Sequence, residues 1–307
     1  MQLHLNTPLL NSRALGQLNG SDVWLKMEAL QPSGSFKIRG IGLACLRYYE
    51  RGARRFISSS GGNAGLAVAF AGRALGVPVT VVVPETTSAR AKALLLLEEA
   101  EVIVHGASWQ EANQYALGLK GQSDAFLHPF DDPLLWQGHA TMIDEVVASG
   151  VRPDAVVLSV GGGGLLSGVI EGLQRNGLSD VPVIAVETAG AASFRAAVEA
   201  GRAVELEHLS TIATSLGAKK VCEQAVKLAG LHPVISEVVS DEEAVRACRR
   251  FMDDHRVVTE PACGASLACV YEQKAVMKPF HHPLVIVCGG ATMSAEQLFS
   301  LSGGEIT

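Results

Sequence analysis

Lys37 stands in the run Pro32-Ser33-Gly34-Ser35-Phe36-Lys37-Ile38-Arg39-Gly40, after a Pro/Gly turn and just inside the start of a helical pattern. A cation there opposes the positive end of the helix dipole, which lowers the pKa of the amine. A lysine so depressed attacks carbonyls and forms Schiff bases, whereas an ordinary lysine is a solvated surface charge. Two glycine-bearing runs offer partners for such chemistry. Gly161-Gly162-Gly163-Gly164-Leu165 lies between an apolar strand pattern and a helical one. Bare backbone at a helix start suits a phosphate; the plain alternative is a tight strand-to-helix turn. Ser58-Ser59-Ser60-Gly61-Gly62-Asn63-Ala64-Gly65 joins strand to helix in the same way and adds hydroxyls and an amide. That set fits a carboxylate or a ring oxygen, or else caps the helix.

The glycine run is not a Walker A loop, because no Gly-Lys-Ser/Thr follows. A dinucleotide fingerprint can be laid only through Gly162, Gly164 and Ser167, with Glu187 about 20 residues on as the ribose-binding acid. A nucleotide-binding oxidoreductase therefore stays open at this point, as does a ligand sensor without catalysis.

The elements that must carry these loops follow a regular order. Phe56 to Ser58 precedes a helix from Ala64 to Leu75; Val79 to Val83 precedes one from about Ser88 to Glu99; Val102 to Val104 precedes one from about Trp109 to Leu119. Farther on, Ala155 to Val160 precedes a helix to about Leu173, Val183 to Val186 precedes Gly190 to Ala200, and Leu284 to Val287 precedes Thr292 to Leu301. Unbroken apolar runs such as Val79-Thr80-Val81-Val82-Val83 are strands buried on both faces, as in parallel sheets covered by helices. The class is α/β, with ligands expected at the carboxyl ends of the strands.

Composition narrows the function. The 307 residues fit about two domains at one per ~150 residues. With 48% hydrophobic and 18% charged residues the chain must bury a large core, and a net charge of −6 leaves no basic field for nucleic acid. No apolar run approaches the ~18 residues of a membrane span. Met1 to Leu10 lacks the basic and apolar parts of a secretory signal, so a cytoplasmic location is expected. Six scattered cysteines without a CxxC pair read as reduced thiols. His281-His282 read as solvated, Cys263 and Cys269 as core packing, Glu98-Glu99-Ala100-Glu101 as an exposed helix end, and His139 as structural.

In this order the three runs resemble the fold-type II pyridoxal phosphate enzymes, and most closely the serine/threonine dehydratases of the serine dehydratase and serine dehydratase-like branch. Ser35-Phe36-Lys37-Ile38-Arg39 resembles the family's Schiff-base lysine motif, Ser60 to Gly65 its asparagine loop, and Gly161 to Leu165 its phosphate loop. The likeness continues through Asp131 to His139, Ala185 to Thr188, Ser215 to Lys219, Glu260-Pro261-Ala262-Cys263-Gly264 and Val285 to Gly290. It displaces the nicotinamide reading.

The resemblance implies two open parallel-sheet domains with helices on both faces: a large one from 1–34 plus 139–307 and a small one from 35–138. It implies Lys37 as the cofactor-bonding lysine and general base, Phe36 against the cofactor ring, and Asn63 at the ring oxygen. The amides of Gly161, Gly162, Gly163, Gly164 and Leu165 would cup the phosphate, and Cys288 would face the pyridine nitrogen. A thiol there leaves that nitrogen largely neutral and favours prompt loss of a β leaving group. Ser33, Ser60, Gly61 and Asn63 would surround the carboxylate of an amino-acid substrate. The implied activity is dehydration of L-serine, with L-threonine as a second substrate, to keto acid and ammonia, the departing hydroxyl taking its proton from the cofactor phosphate. Racemases of the group carry serine where this chain has Gly61, so racemisation is disfavoured; a glycine there also leaves more room at the carboxylate. Gly161, Glu187, Ala191, Ser193, Leu216 and Ala218 are implied as an oxygen cage for potassium. A homodimer is the family's habit. The chain ends near Thr307 without the regulatory extension of biosynthetic threonine deaminases, which points to a catabolic role.

Overall fold

The computed structural model of the chain describes residues 2–301. In chain order its strands and helices are β1 (Leu9–Asn11), α1 (Arg13–Asn19), β2 (Trp24–Lys26), α2 (Lys37–Glu50), β3 (Arg55–Ser58), α3 (Asn63–Leu75), β4 (Val79–Val83), α4 (Ala89–Leu97), β5 (Glu101–Val104), α5 (Trp109–Gly118), β6 (Asp124–Phe126) and α6 (Pro133–Ala148). There follow β7 (Ala155–Ser159), α7 (Gly164–Arg175), β8 (Val183–Thr188), α8 (Ser193–Ala200), α9 (Glu223–Ala229), β9 (Val234–Val239), α10 (Asp241–His255), α11 (Pro261–Tyr271), β10 (Pro283–Ile286) and α12 (Ala295–Ser300).

Two sheets result. One has six strands in the order β1-β2-β10-β7-β8-β9, the other four in the order β5-β4-β3-β6. The four-stranded sheet is parallel throughout. The six-stranded sheet is parallel except at its edge, where β1 runs antiparallel to β2. Both domains are thus built on parallel sheets, the larger one carrying a single antiparallel strand at its edge. Every residue of β4, β7, β8 and β10 is buried, as their apolar runs require.

Other boundaries move for local reasons. The stretch 98–101 is not an exposed helix end: α4 stops at Leu97, Ala100 is buried and Glu101 opens β5. The helix expected from Gly190 begins at Ser193, behind a 3-10 turn at Ala189–Ala191. The expected domain boundary at 138/139 falls inside α6.

Helix α6 lies between α2 and α7 and sets their spacing. A side chain at Gly138 would collide with the α2 backbone at Arg39 and Gly40, and one at Gly168 would meet His139 at 2.5 Å, so these helices approach more closely than side chains allow. A buried network fixes the same junction. The Arg39 Nε donates to Glu28 at 2.7 Å, its two terminal nitrogens to Glu145 at 2.7 Å each, and Lys26 Nζ to Glu145 at 2.5 Å. Arg39 and Glu28 are fully buried. The network therefore clamps α2 to α6 and to β2, two residues beyond Lys37.

Candidate active site

Lys37 is the first residue of α2, whose cap is Phe36 rather than a hydrogen-bonding side chain. The turn before it is held to the segment after β10: Phe36 N–H donates to the Cys288 carbonyl at 3.1 Å, Gly290 N–H to the Gly34 carbonyl at 2.9 Å, and Ser35 bridges Gly289. Lys37 Nζ donates to the Pro129 carbonyl at 2.7 Å and lies 5.2 Å from the centre of the Phe36 ring. Half-buried in the cleft, the amine is pushed down to about 8 by desolvation, against a smaller upward pull from Cys288, Glu260 and Cys222. Loss of water is what depresses this lysine.

Two helix starts face the same cleft bare. Helix α7 follows Gly163, which has φ +88°, and no side chain caps it. A side chain at Gly162 would occupy the place of the Phe130 ring, and one at Gly163 would come within 2.6 Å of Ala225, so only glycine keeps this loop closed. Helix α3 follows Gly62, again without a side-chain cap. The Ser60 hydroxyl accepts from Gly62 N–H at 3.3 Å, one residue before the helix. Each start leaves backbone N–H groups and positive dipole for an anion. Ser33 and Ser35, between β2 and α2, are buried with hydroxyls that have no partner among the described residues. An uncapped glycine loop, a second bare helix start and unpartnered hydroxyls beside a desolvated lysine fit a phosphorylated aldehyde and an amino-acid carboxylate.

Asn63, the first residue of α3, is held by the opposite half of the molecule. Its Oδ1 accepts from Ala291 N–H at 3.1 Å, and its Nδ2 donates to Glu260 at 2.7 Å and to Ser215 at 3.4 Å. Cys288 is buried beside Lys37; the Cys263 thiol first, and burial second, push it well up, so it stays a protonated donor. Gly61 behaves differently from the expectation of extra room. A Cβ there would sit 2.8 Å from Thr87 Cγ2 and 3.1 Å from Val83 Cγ1, so the direction in which it would project is already occupied.

Glu187 and Ser193 lie apart from these groups and wholly buried. Glu187 accepts from Phe194 N–H at 2.7 Å and Arg195 N–H at 2.8 Å, and burial pushes its carboxyl up to about 7. The Ser193 hydroxyl has no partner among the described residues. Gly161 packs on Ser215 and Leu216, which brings one expected cage residue, Leu216, against another in the phosphate loop. Buried oxygens of this kind, with no sulfur or imidazole among the cage residues named, suit a hard cation.

Glu260 is the functional candidate that sequence reasoning missed. In the sequence it stands only within a run that resembles the family, although a glutamate before a helix-starting proline and a stretch of small residues is a usable signal. His139 is buried, 4.9 Å from Phe36, with neither ring nitrogen partnered, while His281 and His282 are exposed. Cys263 and Cys269 pack in α11, as expected.

A family profile described as "Pyridoxal-phosphate dependent enzyme" matches residues 1–289. The human protein named L-serine dehydratase/L-threonine deaminase is 49% identical over 310 aligned residues, covering 97% of this chain and 94% of that protein. The mouse protein named serine dehydratase-like is 48% identical, with 97% and 94% covered. Among solved structures, a fungal L-serine ammonia-lyase from Rhizomucor miehei matches with TM-score 0.93 and 38% identity over 98% of each chain.

Proposed function

From the premise that the chain belongs to the pyridoxal-phosphate-dependent enzymes, we propose that it is an ammonia-lyase that removes water from L-serine, and from L-threonine as a second substrate. The products are pyruvate or 2-oxobutanoate, and ammonia. The observation that carries this reading is the desolvated Lys37 amine set between two bare helix starts. When bound, pyridoxal phosphate supplies a carbonyl for an amine and an electron sink that acidifies the substrate α C–H.

The chain's own residues do the rest. The N–H groups of Gly161 to Leu165 would hold the phosphate at the start of α7, and Phe36 would pack on the ring. The start of α3, with Ser33, Ser60 and Asn63, binds the substrate carboxylate. Lys37 Nζ, poised near neutrality, takes the α proton as general base. Cys288, kept protonated, would offer its S–H to the pyridine nitrogen without protonating it, and so weak a donor would favour elimination. Gly61 offers no hydroxyl opposite Lys37 to return a proton from the other side, so racemisation is not supported.

The reading extends to a potassium ion held by Glu187, Ser193 and carbonyls of Gly161, Ala191, Leu216 and Ala218; the unpartnered Ser193 hydroxyl supports it. The division into 1–34 plus 139–307 and 35–138 is supported by sheet membership, since the four-stranded sheet draws only on 55–126. A cytoplasmic homodimer completes the proposal; no helix among the described residues is long and apolar enough to cross a membrane.

Keto-acid release from L-serine, L-threonine and D-serine tests it. We expect release from the two L-amino acids, faster in potassium than in a bulky organic cation. A visible band near ~410 nm that borohydride removes should be present in the parent and absent from Lys37→Ala. Formation of D-serine faster than pyruvate, or a parent without the band, would sink the assignment.

A further inference from the structure

Glu260 is a buried carboxyl with no cation to neutralise it: among the described residues no lysine or arginine lies within ion-pair distance of it. Its hydrogen-bond donors are neutral, namely Asn63 Nδ2 at 2.7 Å, Thr292 Oγ1 at 3.5 Å and the Ser215 hydroxyl. A side chain at Gly290 would overlap its carboxyl, so the backbone opposite is cleared to admit it. Burial pushes that carboxyl up to about 7, with Lys37 as its nearest opposing charge. Such a group is a burden to the fold unless it performs a task.

The task is legible at Asn63. A side-chain amide can be turned end for end, and only its partners decide which way it faces. Here the Ala291 N–H requires the amide oxygen and the Glu260 carboxyl requires the amide nitrogen. Turned over, the amide would oppose donor to donor and acceptor to acceptor. Asn63 and Glu260 are 197 residues apart and belong to different halves of the molecule, so the bond also pins the start of α3 across the cleft.

Resting on the lyase reading above, we propose that Glu260 is a positioning residue: with the Ala291 N–H it locks the Asn63 amide so that one N–H stays on Glu260 and the other, which meets only Ser215 at 3.4 Å, is the one that donates to the cofactor's ring oxygen. Glu260 acts through Asn63 and takes no proton from the substrate.

The test uses cofactor-free protein titrated with pyridoxal phosphate, following both the dissociation constant and the position of the absorbance band. Glu260→Met keeps the volume and removes the carboxyl; its melting temperature without cofactor, measured beside the parent's, separates loss of fold from loss of binding. We expect its Kd to rise about ten-fold, as for loss of one hydrogen bond to a charged acceptor. Asn63→Ala should do the same, with the same band shift. The double variant should be no more than about two-fold worse than either single one, because both remove one interaction. Glu260→Gln, which keeps an oxygen to accept the Asn63 N–H, should stay within about three-fold of the parent. An unchanged Kd and band in Glu260→Met, or singles whose effects multiply, would overturn the proposal. So would a Gln variant as weak as the Met variant. A parent that does not bind pyridoxal phosphate would instead refute the lyase reading.

Discussion

At the scale of single residues, chemistry was legible where the side chain and its neighbours in sequence suffice. Lys37 announces itself by a turn, an aromatic neighbour and a helix start within a few positions, and Gly161 to Gly164 by repetition. Glu260 does not, because its meaning lies in Asn63 and Ala291 on other segments. Gly61 shows the same limit from the other side: its lack of a side chain was visible, but the direction in which one would project was not. That direction is occupied by Thr87 and Val83. Gly61→Ala should therefore destabilise the protein by about 1–3 kcal/mol through overpacking. Adding Thr87→Ser, which removes the contacting methyl, should restore most of the loss. Paired denaturant melts of the two variants check this; equal midpoints for the single and double variants would contradict the crowding.

At the scale of elements, the strand-turn-helix units were readable because buried parallel strands and glycine turns leave strong local signals. The antiparallel β1, the start of α8 and the clamp between α2, α6 and β2 were not. The clamp depends on partners distant in the chain, as Arg39 does on Glu145, 106 residues away, while β1 and the 3-10 turn before α8 are only three residues long and leave no periodic signal. The clamp is also where α2 is most exposed to damage. Arg39→Met leaves Glu28 and Glu145 buried with one cation fewer between them, and should lower stability by about 3–5 kcal/mol. Removing both faces of the pair with Glu28→Gln in addition should recover part of it. Unfolding in urea measures both variants. A loss below about 1 kcal/mol in Arg39→Met would show that the network contributes little.

At the scale of the whole molecule, buried imidazoles set the acid side of stability. Burial holds His139 well below its usual value, with Lys37 and Arg39 adding to the shift, and takes His4 down to about 4. For a base depressed on folding, the unfolded chain takes up the proton first. The stabilisation is therefore complete above pH ~6.5 and is lost as pH falls toward the folded pKa, by up to about 1.4 kcal/mol per pH unit for each group. Melting temperatures from pH 7.5 down to 5.5 should fall, and His139→Leu should flatten that slope; an unchanged slope would assign the acid loss elsewhere. Connectivity has a further consequence for biosynthesis. Strand β2 is translated before the whole four-stranded unit, yet it hydrogen-bonds to β10, about 260 residues later. On the ribosome, 55–126 can collapse while the chain is still growing, but the central pairing of the other sheet must wait until synthesis is almost finished. The nascent protein thus holds an unsatisfied strand edge for most of its elongation, until Pro283–Ile286 emerge.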